Sequence, residues 1–155
     1  MMKDAILSED RKYRYILSRT WDETKPTVLF IGLNPSTADE NENDPTIRRC
    51  IKFAKSWGYG GLLMANLFAF RSTNPQELYS AQDPIGSENN YFIKEYADKS
   101  ELIIACWGNH GRFNNRSQKV FELLGGLNCL DINKSGEPKH PLYIRSDTKP
   151  KPYVR

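Results

Sequence analysis

The residues of this chain best suited to chemistry sit at the ends of apolar runs. Asn34, Pro35 and Ser36 close the run TVLFIGL (27–33), and a loop with Asp39, Glu40, Glu42 and Asp44 follows, with Arg48 shortly after. Asn66 lies inside GLLMANLF (61–68), just ahead of Arg71 and Ser72. ELIIACWG (101–108) leads into Asn109, His110 and Gly111, and LNCLDIN (127–133) leads to His140 and Pro141. Both histidines of the protein therefore follow apolar runs. Amides of this kind bond the polar edge of a ligand or orient water, while carboxylates and imidazoles can also move protons.

Several of these residues have two readings. A buried amide without partners costs about 1–3 kcal/mol, so Asn66 must bond either backbone or ligand. Asn34-Pro35-Ser36 is either a plain turn or the floor of a pocket. Asp39 and Asp44 serve as acid–base carboxylates, with Arg48, Arg71 and His110 gripping an anionic substrate, or they form a solvated helix entry. In the second case Asp44 caps the helix and its neighbours favour the helix dipole. WGNHG is either a glycine-rich turn or part of the same rim, and His140 is either a rim residue or a bystander.

The elements that must position these groups follow from periodicity. The four apolar runs are continuous rather than alternating, as expected of strands covered on both faces. Between them lie helical patterns. In DPTIRRCIKFAKSWG, Asp44 suits the cap, Pro45 the first helical position and Gly58 the end. Ile47, Cys50, Ile51, Ala54 and Trp57 share its apolar face, which leaves Arg48, Lys52 and Lys55 in water. Residues 87–100 offer Phe92, Ile93 and Tyr96 to a core, and residues 114–126 offer Val120, Leu123 and Leu124. The alternation predicts a single α/β domain over 1–155, a three-layer α/β/α sandwich around a mainly parallel four-stranded sheet. KYRYILSRTW (12–21) reads as an extra N-terminal edge strand, and 71–86 as a long, turn-rich loop. In such sheets sites form beyond the carboxyl ends of the strands, where the residues above fall.

Composition narrows the function classes. The chain has 155 residues, 39% of them hydrophobic and 26% charged, with a net charge of +3. That charge is too small to indicate nucleic-acid binding from bulk electrostatics, although basic residues gather between Lys134 and Arg155. No apolar run approaches the roughly 20 residues that span a bilayer, and the early charges of MMKDAILSEDRK do not resemble a signal peptide. The expectation is a cytoplasmic protein with no membrane partner. Cys50, Cys106 and Cys129 are far apart and without a CxxC pair, so they read as buried, inert thiols rather than a zinc site or disulfide framework. Neither a metal nor a cofactor is expected.

Taken in chain order, the strand ends resemble those of the uracil-DNA glycosylase superfamily. GLNPS is similar to the first motif of its mismatch-specific branch, LLMANLF to the second strand, ELIIACWG to the third, and HPLYI to the His-Pro-Ser motif after the fourth. The resemblance implies a uracil-DNA glycosylase-like fold and a pocket for a nucleobase, presented in DNA or as a free nucleoside or nucleotide. It implies that Asn66 bonds the polar edge of the base, that His140 stabilises charge on the departing base, and that Asn34 orients water. The activity implied is that of an N-glycosidic bond hydrolase; Ser36, Asn109 and His110 are substrate-binding candidates from their places after the strands, apart from the resemblance. A module that binds the base without catalysis is the alternative from another class. Over nearly the whole chain, RYILSRTW, GLNPSTAD, DPTIRR and WGNHG together resemble a bacterial family catalogued as domain of unknown function 1643.

Overall fold

The apolar runs at 27–33 and 61–68 become the two central strands because both of their faces are covered. A computed structural model describes residues 1–155. Its strands are β1 (Met2–Leu7), β2 (Arg14–Thr20), β3 (Thr27–Gly32), β4 (Gly61–Asn66), β5 (Leu102–Ala105), β6 (Asn128–Cys129) and β7 (Lys151–Pro152). Its helices are α1 (Pro45–Ser56), α2 (Pro75–Ser80), α3 (Asn89–Asp98) and α4 (Arg116–Leu124), with 3-10 turns at Asn109–Asn115 and Pro141–Tyr143. One seven-stranded sheet runs in the order β1-β2-β4-β3-β5-β6-β7. Its middle, β4-β3-β5-β6, is parallel. The flanking pairs β1–β2, β2–β4 and β6–β7 are antiparallel.

Side chains alternate across β3 and divide the core in two. Leu29 and Ile31 pack with Leu78 of α2, Ile93 and Ala97 of α3 and Val120 of α4. Val28 and Phe30 pack on the opposite face with Ile47, Cys50, Phe53 and Ala54 of α1. All four β3 residues have no exposed surface, and fully burying a side chain of this size stabilises by roughly 1.5–3 kcal/mol. α1 follows its sequence pattern. Asp44 caps it by accepting from the Ile47 N–H at 2.9 Å, Pro45 opens it, and Arg48, Lys52 and Lys55 are exposed. Trp57, at its end, stacks on Phe30 and Phe53.

The structure corrects the expected sheet in three places. The sheet has seven strands rather than four plus an edge. The 12–21 segment is internal, because β1 pairs along its outer side from Met2↔Thr20 to Leu7↔Arg14. The 127–133 run keeps only two strand residues, pairing with β5 on one side and β7 on the other. The 71–86 loop contains α2, whose cap is Asn74 and whose first residue is Pro75. α4 begins at Arg116 rather than 114 because Asn114 and Asn115 hold positive φ of 55° each, which ends the preceding turn. No helix is long and apolar enough to cross a membrane.

Candidate functional site

The carboxyl ends of β3, β4 and β5, with the segment after β6, enclose a cavity of about 750 Å³. Clefts for small molecules run roughly 300–1,000 Å³. Asn34, Ser36, Asp44, Asn66, Asn109, His110 and His140 all line it. Residues more than 100 positions apart in the chain thus meet in one hollow because the parallel strands end on the same side.

Asn66 closes β4 and is nearly buried, 4% exposed. Its Oδ1 accepts from Arg14 Nη2 at 3.2 Å, while its Nδ2 has no acceptor in the protein and opens to the cavity. Gly32 at the end of β3 makes room for that amide. A Cβ there would stand 3.0 Å from Asn66 Nδ2, tighter than nine in ten real Cβ contacts. Asn34 is held differently. Its Nδ2 donates to Ser72 Oγ at 2.8 Å and to the carbonyls of Ser72 and Phe70 at 3.2 and 3.3 Å. Both amide hydrogens are therefore spent on tying the end of β3 to the 70–72 loop, and only Oδ1 remains to accept from water or ligand.

His140 caps the 3-10 turn of Pro141–Tyr143 by accepting the Leu142 N–H on Nδ1 at 3.3 Å. An acceptor Nδ1 leaves the hydrogen on Nε2 of the neutral ring. Burial lowers the His140 pKa below the ordinary value of 6.5, with the Asp44 carboxylate pulling the other way. His140 thus presents a neutral Nε2–H donor that meets no acceptor in the protein. Asp44 caps α1 and lines the cavity at once.

The end of β5 is fixed by its tryptophan. Trp107 is 1% exposed, and its Nε1 donates to Glu137 Oε1 at 2.9 Å, while Glu137 pairs with Arg155 at 3.0 Å. Gly111 lets the following turn close over the indole, since a Cβ there would lie 2.2 Å from the ring. On the rim, Asn109 Oδ1 accepts from Asn133 Nδ2 at 3.1 Å and Ser135 Oγ at 2.6 Å. His110 is exposed, with its Nδ1 against the Tyr79 hydroxyl. Tyr143 stands beside His140 at the mouth and is 81% exposed. Cys106 lines the wall, donates its thiol hydrogen to Ile31 O at 3.4 Å and is pushed up by burial, so it stays protonated.

Three expected site residues lie elsewhere. Asp39 Oδ1 accepts the N–H groups of Asn41 and Glu42, both at 2.8 Å, and these bonds hold its carboxyl below the usual range. It is the hinge of a turn, not a partner of Asp44 at the cavity. Arg48 is exposed and donates to Asn43 O at 3.2 Å. Arg71 faces a separate shallow groove with Arg11 and Lys12, which touches the cavity wall at Ser36 and Thr73. The acid–base arrangement of Asp39 and Asp44 with Arg48 and Arg71 is therefore not assembled. No group of three or more His, Cys, Asp or Glu side chains is placed to hold a metal ion.

Three buried arginines, Arg14, Arg19 and Arg116, were not singled out in the sequence, and two of them come from β2. Arg19 has no exposed surface and donates to Asn43 Oδ1 at 2.8 Å and to the Asp39 and Glu42 carbonyls at 2.5 and 3.0 Å. It organises the acidic loop from beneath. Arg14 is 2% exposed and lines the cavity. The only signal for Arg14 and Arg19 was a charge inside the strand-like run RYILSR, and a charge there also fits a solvated face.

No curated protein and no solved structure matches this chain. One family does, over residues 14–142, from the buried arginine on β2 to the rim turn after His140. The chain belongs to the family described as Protein of unknown function (DUF1643).

Proposed function

We propose that the cavity holds the base of a nucleoside, nucleotide or nucleic acid, and that the protein hydrolyses its N-glycosidic bond. The observation that carries this reading is the meeting of Asn34, Asn66 and His140 in one cavity of about 750 Å³ at the strand ends. The likeness of GLNPS, LLMANLF, ELIIACWG and HPLYI to the uracil-DNA glycosylase superfamily supports it. Asn66 Nδ2 donates to a base carbonyl, and the second lone pair of its Oδ1 accepts a ring N–H. As the C–N bond breaks, its electron pair moves onto the base, and the neutral His140 Nε2–H bonds the oxygen where charge collects. Water held by Asn34 Oδ1 adds to the cationic sugar carbon and loses a proton to solvent, and the Asp44 carboxylate on the same wall favours that cation. The carboxylates of Asp39 and Glu40 engage the chain's own backbone and Arg11, so the loop does not contribute acid–base groups.

A binding module without catalysis is the second reading, and one observation favours it. Asn34 cannot take a proton, and its amide hydrogens are committed to the 70–72 loop. Chromatography of free base released from nucleosides, nucleotides and uracil-containing single-stranded DNA separates the two. The glycosidic reading predicts slow release that falls by about 10²-fold or more in His140→Ala. Base binding with no release under enzyme excess establishes the binding module instead.

A further inference from the structure

We infer that the floor of the cavity receives an anionic oxygen group, so that the ligand is a nucleobase carrying a carboxylate or a deprotonated oxo group rather than a neutral base. The choice of a ring rests on the reading above; the charge does not.

Arg14 is the reason. Its side chain comes off β2 into the cavity floor, 2% exposed. It forms no ion pair. Nη1 donates to Ala38 O at 3.0 Å and Nη2 to Asn66 Oδ1 at 3.2 Å, both neutral acceptors, while its buried Nε has no partner. A guanidinium carries five N–H donors, and a buried charge is ordinarily paired. Arg19, on the same strand and as deeply buried, shows what a structural arginine looks like here. It donates to five acceptors, Asn43 Oδ1 and the carbonyls of Asp4, Ser18, Asp39 and Glu42, and does not line the cavity. Arg116 also lacks a carboxylate partner, but it too lies outside the lining. Only Arg14 combines an uncompensated charge with a ligand-sized space.

Charges of both signs stand around it, Asp44 the strongest of them, but no carboxylate comes within ion-pair distance. Asp44 and Asp39 act on Arg14 with one sign, Arg71 and Arg19 with the other, and burial lowers its pKa to about 10, which leaves it charged at neutral pH. Its bond to Asn66 occupies one of the two lone pairs on that residue's Oδ1. Around Arg14 the floor presents mainly donors: the guanidinium, Asn66 Nδ2 and His140 Nε2–H, walled by Met64, Ile47 and Cys106. An unpaired guanidinium flanked by further donors favours a negatively charged group, because charge-assisted hydrogen bonds are about twice as strong as neutral ones, and the Asp44 carboxylate on the wall directs that group toward Arg14 rather than toward the α1 entry.

Calorimetric titration with two matched pairs tests this: orotate against uracil, and urate against hypoxanthine. Within each pair the anion is expected to bind about tenfold tighter or more, the equivalent of one added charge-assisted bond. The preference should vanish in Arg14→Gln and survive in part in Arg14→Lys. Neutral bases that bind as well as their anionic partners overturn the inference and leave the base pocket standing. If no base binds but inorganic phosphate does, with the same dependence on Arg14, the anion site stands and the nucleobase reading falls. The wild-type comparison decides the matter even where a variant folds poorly. Melting of the ligand-free Arg14→Met protein adds a check. An unchanged or higher Tm supports a charge kept for ligand, and a large fall, with no anion preference in the wild type, assigns Arg14 to structure.

Discussion

Gly32 and Asn66 illustrate how one residue's absence of side chain can define another's chemistry. Gly32→Ala would bring a methyl group to 3.0 Å from Asn66 Nδ2, and the amide has to give by a few tenths of an ångström. Ligand affinity is expected to fall about tenfold or more, while stability changes by no more than about 1 kcal/mol, the usual range for a small change at a tolerant backbone. Titration and thermal melting together check it; equal affinity in the variant removes Asn66 from the binding surface. His140 adds a pH signature. Burial depresses its folded pKa below 6.5, so on acidification the unfolded chain takes up the proton first. The stability contributed by the neutral buried ring is complete above 6.5 and is lost as pH falls through the depressed folded value. Wild-type Tm should therefore drop more steeply below 6.5 than that of His140→Gln, and parallel curves would contradict the placement of the ring.

At the scale of elements, the acidic loop and α1 entry turn on two residues with separable roles. Asp44→Asn keeps a capping oxygen and removes a charge from the cavity wall. It should leave stability nearly unchanged and slow base release, whereas Asp44→Ala should cost about 1 kcal/mol through the lost cap. Arg19→Met leaves the Asp39 carbonyl and Asn43 Oδ1 without the arginine, and the Glu42 carbonyl with only the Asp39 N–H, and should destabilise by about 1–3 kcal/mol. Limited proteolysis should then cut within residues 39–43, and resistance equal to wild type would deny Arg19 its organising role. Elements were legible in the sequence where local pattern and burial agreed. β3 and β4 announced themselves as unbroken apolar runs because helices cover both faces. α1 did so through Asp44, Pro45 and its apolar stripe. β1 did not, because MKDAIL is charged and its first half is exposed. α2 was hidden by its length, six residues in a turn-rich segment, although Asn74-Pro75 carried the cap signal.

For the whole molecule, the site was half legible for a topological reason. Parallel strands deliver their ends to one side, so Asn34, Asn66, Asn109, His110 and His140 converge as their positions after apolar runs imply. Arg14 could not be read this way. It enters from an antiparallel strand, and its burial is decided by Ala38 and Asn66, 24 and 52 residues away. Asp39, Arg48 and Arg71 show the reverse error, since proximity in sequence to a strand end does not direct a side chain into the cavity. The same architecture predicts that amides of β3 and β4, paired on both sides, exchange slowest with deuterated solvent, and those of β1 and β7 at the sheet edges fastest. It also predicts that the three cysteines, all buried and all pushed up by burial, resist maleimide at neutral pH in the native state and react fully in denaturant.

The most direct measurement is a crystal structure of the protein soaked with orotate. The account predicts the ring within the strand-end cavity, one oxygen at about 2.7–3.2 Å from Asn66 Nδ2 and the carboxylate on Arg14, with His140 Nε2 facing the same ring. A cavity left empty at saturating ligand, or a ring bound elsewhere with Asn66 and Arg14 untouched, would contradict it.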